Sequence, residues 1–252
     1  MNRTVGAVVL LSLLLGLTVA SRAEVGGADG FGSQGPAWSN GVVPGSPDQL
    51  DVTAAALAAT VRVGGRNCSG LVLGSGFVID GVLLTNRHLV PDARQAKVDR
   101  PVAPVFVDVV RRSDGLDLAV LEPVEALNLE FADGDAAVGD TVFLAGHGGG
   151  QDTQVVPAVV HLYANGESYG IPGPLLVLDG PSSLGFSGGP VLDVEGRVVG
   201  ILQGYEPGLR LTLAIPASAV RSWLATGEGE VTGSATSCPD STVREVPEEP
   251  SE

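Results

Sequence analysis

Short apolar runs separated by turn-forming glycine and aspartate residues are the feature that most limits how this chain can fold. The clearest case is the run 76–79, the dipeptide Asp80-Gly81 and the run 82–85. An Asp-Gly pair between two apolar runs predicts a β-hairpin, because both residues accept the positive φ angles of a two-residue turn. Further strand-like runs follow at 105–110, 118–121, 142–145, 155–162, 175–178, 190–193, 198–203 and 209–215.

The strand-like runs fall into two groups on either side of the break Asp133-Gly134-Asp135. The chain holds 36 glycines and 17 prolines, which suits many short strands with tight turns better than long helices. The sequence therefore predicts an all-β fold of two small barrels, one over about 60–130 and one over about 131–215. Short helices are expected at 53–59 and, at the end of the domain, from Pro216 to Leu224, with the proline near the first turn.

Acidic residues outnumber basic ones by 29 to 14, and the formal net charge is −15. Such a surface repels phosphate backbones and anionic lipid headgroups, so neither nucleic acid nor a membrane surface is an expected partner. A metal site is not expected either, since the two cysteines and three histidines show no C-x-x-C or H-E-x-x-H spacing. The sequence implies no organic cofactor.

Residues 1–23 have the pattern of a secretory signal peptide. Arg3 supplies the positive end, residues 5–20 are apolar, and Ser21-Arg22-Ala23 offers a cleavage site of small residues. An uncleaved anchor is the alternative, although the apolar run is shorter than the ~20 residues that span a bilayer. The rest of the chain is predicted to work outside the cytoplasm, secreted or in the periplasm or cell envelope, with no stable membrane span after signal removal.

The predicted mature chain has three parts. Residues 24–51 are rich in glycine, serine and proline and are expected to form a flexible lead-in. Residues 52–226 form the folded domain, and 227–252 an acidic disordered tail. Cys68 and Cys238 are the two cysteines, and an even pair in an exported protein favours one disulfide over two unrelated thiols.

Three short segments carry candidate chemistry. They are Thr85-Asn86-Arg87-His88-Leu89-Val90, Leu116-Asp117-Leu118-Ala119-Val120-Leu121 and Gly185-Phe186-Ser187-Gly188-Gly189-Pro190. A serine hydroxyl is a weak nucleophile that needs a base for its proton and donors for the oxyanion that forms. Glycines around Ser187 let the backbone turn sharply, so the N–H groups of Gly185 and Ser187 can converge on one oxyanion position.

His88 and Asp117 complete this constellation. His88 can act as the base, and Asp117 can orient the imidazole and stabilise its charged form. Each of the three residues, taken alone, has an ordinary explanation. Ser187 could be a passive serine in a glycine-rich turn, His88 a surface histidine, and Asp117 an aspartate that begins a strand. The order His, Asp, Ser is that of the chymotrypsin group, and it places Ser187 in the second strand group and the other two in the first. His147 and His161 adjoin no carboxylate motif and are expected to have structural or solvent-exposed roles.

The three segments resemble those of trypsin-like serine peptidases, most closely the exported bacterial HtrA/Deg branch and the actinobacterial acid-resistance periplasmic proteases. In that branch T-N-x-H-V holds the base, D-[LI]-A-[VL]-L the acid and G-[ND]-S-G-G-P the nucleophile. The resemblance covers about 52–225, where Leu213-Ala214-Ile215-Pro216 also matches the strand-to-helix end of Deg-type domains. It implies two six-stranded Greek-key β-barrels of the chymotrypsin type with a short C-terminal helix. No PDZ module is expected, because too few residues follow Leu224.

The resemblance implies a serine endopeptidase that acts on proteins or peptides without a cofactor, and it leaves the oligomeric state undetermined. His88 would be the general base and acid, Asp117 its orienting carboxylate and Ser187 the nucleophile. The backbone amides of Gly185 and Ser187 would form the oxyanion hole.

Three positions depart from the family pattern. Arg87 and Leu89 stand beside the histidine where smaller or β-branched residues are common, and Phe186 replaces the usual Asn or Asp. Phe186 cannot form the ion pair with a new N-terminus that switches on zymogen-activated relatives. The sequence leaves open how the oxyanion loop is held in shape.

The resemblance also implies where the residue before the cleaved bond would bind. In the family the floor of this pocket lies six positions before the nucleophile, here at Pro181, which carries no charge. Binding of Arg or Lys would need a carboxylate at the floor, so cleavage after Val, Ala or Leu is expected, unless a shifted loop brings in Asp179. The expected pocket residues are small or uncharged: Pro181, Ser182, Ser183, Gln203 and Gly204.

Two other classes of protein fit the same sequence. A catalytically weak or inactive trypsin-fold protein would act as a binding module, and Phe186 is the feature that favours it. A surface adhesion or interaction protein would act through the acidic tail, so deletion of the residues after Gly227 would abolish its function and would spare a protease.

Overall fold

The computed structural model describes residues 47–67, 70–91, 93–100, 103–206 and 208–231. These ranges cover nearly all of the predicted folded domain, 52–226. The predicted signal peptide, residues 24–46 of the predicted lead-in, both cysteines and residues 232–252 lie outside the described residues. Within the described ranges, no helix combines the length and the hydrophobicity needed to cross a membrane.

The first six strands form a closed barrel that follows a short helix, α1 (Pro47–Ala59). The strands are β1 (Thr60–Asn67), β2 (Gly70–Ile79), β3 (Val82–Thr85), β4 (Gln95–Asp99), β5 (Val105–Arg112) and β6 (Ala119–Leu121). Their order around the barrel is β1-β4-β5-β6-β3-β2, and an antiparallel pairing between β1 and β2 completes the ring. All of these neighbouring pairs are antiparallel.

A second closed barrel follows. A short strand, β7 (Asn128–Leu129), pairs in parallel with β2 on the way to it. The remaining elements are β8 (Thr141–Gly146), β9 (Gln154–Asn165), β10 (Pro174–Asp179), β11 (Pro190–Leu192), β12 (Val198–Glu206), β13 (Leu211–Pro216), α2 (Ala217–Thr226) and β14 (Glu230–Val231). The barrel closes in the order β10-β13-β12-β11-β8-β9. The prediction of two six-stranded barrels with a short C-terminal helix is confirmed.

The hairpin predicted at Asp80-Gly81 joins β2 and β3. The φ angles are 50° at Asp80 and 76° at Gly81, and Ile79 pairs directly with Val82. Two positive φ angles in a two-residue loop match the right-handed twist of the flanking strands. The hairpin leads the chain into β3, and the segment with His88 begins where β3 ends.

One apolar cluster joins the two barrels and both α-helices. Phe77 and Leu84 of the first barrel meet Phe143 and Ile201 of the second, all of them buried. Removal of apolar surface from water stabilises by about 25 cal/mol per Å². The shared cluster therefore opposes separation of the barrels and fixes how the faces that carry the candidate site meet.

The chain after α2 differs from the predicted disordered tail at 227–252. Helix α2 ends at Thr226, and Gly227, with a φ of 67°, forms a left-handed cap after it. Strand β14 then pairs with Arg111 and Arg112 of β5, and the Arg111 guanidinium lies 4.4 Å from the ring centre of Trp223. Residues 227–231 are therefore part of the fold, because β5 offers them an edge that the local sequence does not reveal.

Helix α1 also differs from its prediction. It begins at Pro47, inside the stretch predicted as a flexible lead-in, and so exceeds the helix predicted at 53–59. Proline suits the first turn of a helix because its φ is already helical and its missing N–H is not needed there. Val52 and Ala56 are buried in the cluster between the barrels, which explains why the helix extends further.

Candidate active site

His88 lies on a single 3₁₀ turn, Arg87–Leu89, directly after β3. Leu89 is buried under the turn, and the buried Asn86 before it donates from Nδ2 to the backbone carbonyl of Asp117 at 2.9 Å. These contacts fasten the histidine turn to the residues that lead into β6. The imidazole stays accessible, with 44% of the side chain exposed.

Asp117 holds His88 at two points. Its Oδ2 lies 2.6 Å from Nδ1 of the ring, and its Oδ1 accepts a hydrogen bond from the His88 backbone N–H at 2.8 Å. A carboxylate against Nδ1 keeps a proton on that nitrogen and leaves Nε2 able to accept one. The pair therefore has the geometry of an oriented base.

Arg87, one of the departures from the family pattern, strengthens the same arrangement. Its guanidinium donates to the backbone carbonyl of Ser113 and lies 3.5 Å from the Asp114 carboxylate. Both residues precede Asp117 in one loop. The side chain beside the histidine thus ties the histidine turn to the loop that supplies the acid.

The segment around Ser187 packs directly on the histidine segment. The Ser187 carbonyl accepts a hydrogen bond from the Ser75 N–H at 2.7 Å. At Gly188, where φ is 84°, a Cβ atom would lie 2.1 Å from the Ser75 carbonyl oxygen and 2.6 Å from Thr85 Oγ1. A glycine is therefore required at this position, and its absent side chain allows the second barrel to bring Ser187 against the end of β3.

The Ser187 hydroxyl donates to the backbone carbonyl of Gln203 at 3.3 Å. In the described part of the chain it makes no hydrogen bond to His88. Rotation about χ1 moves such a hydroxyl between staggered positions, and catalytic hydrogen bonds in enzymes without substrate are often long or poorly aligned. The structure thus brings His88 and Asp117 into contact and places the serine segment beside them, with its hydroxyl turned to β12.

The peptide between Leu184 and Gly185 is fixed by its carbonyl. Leu184 O accepts a hydrogen bond from the Gly149 N–H at 2.7 Å, and none of the described residues accepts one from the Gly185 N–H. A trans peptide points its C=O and N–H in opposite directions, so the Gly185 N–H faces away from Gly149. The φ of Gly185 is 103° and a Cβ there would lie 2.2 Å from the His147 carbonyl oxygen, so this turn needs glycine.

The peptide between Phe186 and Ser187 is fixed in the same way. Phe186 O accepts from the Gly189 N–H at 2.9 Å, and Phe186 N–H donates to the Ser183 carbonyl at 3.1 Å. The Ser187 N–H has no acceptor among the described residues. Residues 185 and 187 thus each present an unengaged amide, as an oxyanion site requires.

Ser75 is a site residue that the sequence reading missed. It is fully buried, and its Oγ accepts from the His147 N–H at 2.9 Å and donates to the Gly185 carbonyl at 2.7 Å. The one local signal is a polar residue between Gly74 and Gly76 in an otherwise apolar strand. That signal shows that Ser75 is unusual but not which distant residues it contacts.

His147 lies beside this turn with its ring buried. Nδ1 lies 3.1 Å from the Gln151 carbonyl oxygen and Nε2 lies 3.4 Å from Thr153 Oγ1. Burial lowers the pKa of His147, while the hydrogen bond to the Gln151 carbonyl acts in the opposite direction. The ring braces the loop after β8, and its backbone N–H is the part that reaches Ser75.

The five predicted pocket residues lie in two segments. Pro181, Ser182 and Ser183 stand between β10 and the Ser187 turn, and Gln203 and Gly204 belong to β12. A Cβ on Gly204 would meet no atom within 4 Å, so the backbone of β12 borders open space there.

Thr212 of β13 is a neighbour that the sequence did not indicate. Its Oγ1 donates to the Gly180 carbonyl at 2.7 Å and lies 3.0 Å from Ser182 Oγ, and the residue is fully buried. Asp179, the alternative pocket acid, is exposed on β10 opposite Leu211. The side chain that contacts Ser182 is therefore a neutral hydroxyl, itself bonded to backbone.

A family model described as trypsin-like peptidase domain matches residues 74–201, just over half of the chain. The curated relatives include the serine protease Rv3671c of Mycobacterium tuberculosis, 29% identical over 180 residues, which cover 65% of this chain and 45% of that protein. Another, named "Probable periplasmic serine endoprotease DegP-like", from Pseudomonas fulva, is 35% identical over 150 residues, which cover 55% of this chain and 30% of that protein. The chain spans less than half the length of these relatives.

The solved structures include the active form of the M. tuberculosis Rv3671c protease. It aligns with a TM-score of 0.65 and 25% sequence identity, over 77% of this chain and 92% of that one. The resemblance read from the three segments is confirmed, for both the HtrA/Deg branch and the actinobacterial branch. The chain belongs to the family of trypsin-like peptidase domains.

Proposed function

We propose that this chain is an exported serine endopeptidase that hydrolyses peptide bonds through an acyl-enzyme intermediate. His88 is the general base and acid, Asp117 its orienting carboxylate and Ser187 the nucleophile. The observation that carries the proposal is the two-point contact of Asp117 with His88, at 2.6 and 2.8 Å, on a turn packed against the Ser187 segment. Membership of the trypsin-like peptidase family supports it.

Acylation uses all three residues and the two amides. Ser187 Oγ attacks the carbonyl carbon of the scissile bond while His88 Nε2 takes its proton. The negative oxygen of the tetrahedral intermediate binds the N–H groups of Gly185 and Ser187, and one such donor contributes roughly 10²–10³ to kcat. His88 then protonates the departing amine nitrogen as the C–N bond breaks, which leaves an ester on Ser187.

Deacylation repeats these steps with water as the nucleophile. His88 Nε2 takes a proton from water, the resulting tetrahedral intermediate uses the same two amides, and His88 returns the proton to Ser187 Oγ as the ester bond breaks. The Ser187 hydroxyl has to turn from the Gln203 carbonyl towards His88 before the first attack. One rotation about χ1 supplies that movement.

The substrates are proteins or peptides that place a small or medium uncharged side chain in the pocket. Pro181, Ser182 and Ser183 form one side, and Gln203 and Gly204 of β12 the other. The contact between Ser182 and Thr212, at 3.0 Å, supports an uncharged and shallow pocket. Cleavage is expected after Val, Ala or Leu.

The proposed place of action is the periplasm, the cell envelope or the medium. The sequence pattern of residues 1–23 supports export, and one relative carries the word periplasmic in its name. A disulfide between Cys68 and Cys238 fits that compartment. The proposed division of the chain is a signal at 1–23, a lead-in from 24 to the start of α1 at Pro47, the peptidase domain from there to the end of β14 at Val231, and an acidic tail after it.

A peptide assay tests the proposed activity. The full chain, purified after export from an expression host, is tested against fluorogenic tetrapeptide amides beside its Ser187→Ala variant. Wild type should hydrolyse them, and the variant should lose roughly 10⁶-fold in kcat, because the members of a triad act as a unit. Equal hydrolysis by both proteins would exclude Ser187 as the nucleophile.

A second candidate function is a binding module with a trypsin fold and little or no turnover. The hydrogen bond from Ser187 Oγ to the Gln203 carbonyl is the observation that favours it, because the hydroxyl is turned away from His88. A fluorophosphonate probe separates the two candidates. A working serine reacts with the probe, whereas a binding module leaves it unreacted.

A further inference from the structure

We propose that Phe186 is the positioning residue of the oxyanion site. Its buried ring, seated on Gly146 and Gly148, holds residues 185–187 in the shape that presents the two amides. This inference rests on the proposed function and assigns to Phe186 the geometry of the oxyanion site.

The Phe186 side chain belongs to the core of the second barrel rather than to the cleft. The residue is 3% exposed, although the next residue in the chain is the candidate nucleophile. The turn is therefore anchored in the hydrophobic interior immediately before Ser187. The other buried members of this core include Val142, Leu144, Leu176, Val191, Val199 and Leu202.

Two glycines form the seat of the ring. A Cβ on Gly146 would lie 2.9 Å from Phe186 Cγ, and a Cβ on Gly148 would lie 2.9 Å from Phe186 Cε2. Neither glycine has a positive φ angle, so the backbone conformation alone would accept another residue at both positions. At Gly146 the added atom would meet the backbone and the ring of Phe186, and at Gly148 it would meet the ring together with Gln154 Oε1 and Ser183 Oγ, each at 2.8 Å. Contact with Phe186 is thus one reason that both positions need glycine.

The seat and the oxyanion peptide share one loop. The turn Gly148–Gly150 follows β8, and its Gly149 N–H donates to the Leu184 carbonyl at 2.7 Å. That bond turns the Gly185 N–H away from Gly149. Movement of the ring off Gly148 would therefore disturb both the Phe186–Ser187 peptide and the bond that orients the Leu184–Gly185 peptide.

This arrangement also explains why the usual Asn or Asp is absent here. The Phe186 side chain packs into the apolar core of the second barrel, with Gln154 Oε1 and Ser183 Oγ on the Gly148 side of its ring. An amide or carboxylate in its place would give up this apolar burial and bring a polar group into the core, which is costly. Apolar burial replaces the polar contact as the means of holding the turn. A turn held in this way needs no ion pair with a new N-terminus.

The first experiment compares Phe186→Ala with Leu176→Ala in the full chain. Leu176 lies on β10 and belongs to the same hydrophobic core as Phe186, so both variants leave a cavity in that core. Only Phe186 also belongs to the turn that carries Ser187. The measurements are Tm, kcat and KM for a fluorogenic tetrapeptide amide with Val before the cut, and the Kd of the boronic acid of the same peptide. The boronic acid bonds to the serine and places an oxygen in the oxyanion site.

Both variants should lose thermal stability, and only Phe186→Ala should lose turnover. Its kcat should fall about 10²-fold or more below that of Leu176→Ala, the range for loss of an oxyanion donor. KM should change little, and affinity for the boronic acid should fall in proportion to kcat. A kcat within about threefold of Leu176→Ala would overturn the proposal, since the ring would then serve stability alone.

A second pair of variants decides the question even where Phe186→Ala does not fold. Gly148→Ala places a methyl group against Phe186 Cε2 and against the side chains of Gln154 and Ser183, and it should lower kcat. Phe186→Leu removes that ring atom and so relieves its contact with the new methyl group. The kcat of the double variant should therefore be about threefold or more higher than the product of the two single losses predicts, as for coupled residues. A kcat equal to that product would contradict the proposed contact between the ring and Gly148.

The outcome for wild type separates this inference from the proposed function. A wild-type chain that neither hydrolyses peptides nor reacts with a fluorophosphonate overturns both. An active wild type whose Phe186 variants match their controls overturns the positioning role and leaves the proposed function intact.

Discussion

The hydroxyl of Ser75, in the first barrel, donates a 2.7 Å hydrogen bond to the carbonyl of Gly185, in the second. The same oxygen accepts a hydrogen bond from the His147 N–H at 2.9 Å. One buried hydroxyl therefore joins strand β2, the loop after β8 and the oxyanion turn. The relative position of the candidate base and the oxyanion amides depends on this contact between the barrels as well as on the second barrel itself.

Replacement of Ser75 by alanine should lower both activity and stability. The Gly185 carbonyl and the His147 N–H would lose a buried partner, which costs about 1–3 kcal/mol, and kcat should fall about 10–100-fold because the amides shift. Urea unfolding and peptide hydrolysis measure the two effects. Thr60→Val is the matched control, because the buried Thr60 hydroxyl makes no hydrogen bond to any described residue. A Ser75→Ala variant that behaves like this control would exclude the bridge as a determinant of the site.

A peptide library tests the uncharged pocket. Turnover should be highest with Val, Ala or Leu before the cut. Peptides with Arg or Lys should react at least about tenfold more slowly, because none of the carboxylates in the described part of the chain is buried. The variant Asp179→Asn should show the same preference as wild type. A strong preference for Arg or Lys that disappears in Asp179→Asn would refute this pocket and identify Asp179 as its acid.

Cys68 and Cys238 should form a disulfide in exported material. Non-reducing mass spectrometry of a digest should find the two peptides joined. Closure of so long a loop stabilises a folded chain by at most about 5 kcal/mol in the chain-entropy model, so reduction should lower Tm. The double variant Cys68→Ser/Cys238→Ser should have the Tm of the reduced protein and should not respond to reductant. Two free thiols in exported wild type would contradict the pairing.

The buried ring of His147 should make stability depend on pH. Burial lowers its pKa in the folded state, so below the ordinary value near 6.5 the unfolded chain takes up the proton more readily. The free energy of unfolding should therefore fall as the pH drops from 7.5 to 5.5. The variant His147→Gln keeps the backbone N–H that binds Ser75 and should show a smaller fall in the free energy of unfolding over this pH range. The variant His161→Gln, at an exposed position, should show the same fall as wild type. An equal fall in wild type and both variants would show that His147 does not contribute.

The sequence was sufficient to predict the features that depend on nearby residues. The Asp80-Gly81 hairpin needs only a turn that accepts positive φ angles between two apolar runs, and the structure has it. The three segments around His88, Asp117 and Ser187 each carry a recognisable local pattern. Those segments led to the two-barrel fold and to the family.

Features that depend on distant partners could not be read from the sequence. Strand β4 has only Ala96 and Val98 as apolar residues, and its place in the barrel comes from pairing with β1 and β5. Strand β14 exists because Arg111 and Arg112 of β5 lie beyond the pairing of that strand with β4. Ser75 and Gly185 are separated by 110 positions, and nothing near Ser75 indicates that partner. Phe186 is a departure from the family motif in the sequence, and only the fold shows that its side chain belongs to the core of the second barrel.

Covalent labelling of Ser187 is the most direct test of the account. The full chain is treated with a fluorophosphonate probe beside Ser187→Ala, Asp117→Asn and Asp114→Asn, and the modified peptide is identified by mass spectrometry. We expect wild type and Asp114→Asn to be labelled on Ser187 at similar rates. Asp117→Asn should react roughly 10⁴-fold more slowly, because the imidazole would hold the wrong tautomer, and Ser187→Ala should not react. A folded wild type without label, or equal labelling of Asp117→Asn and wild type, would contradict the proposed triad.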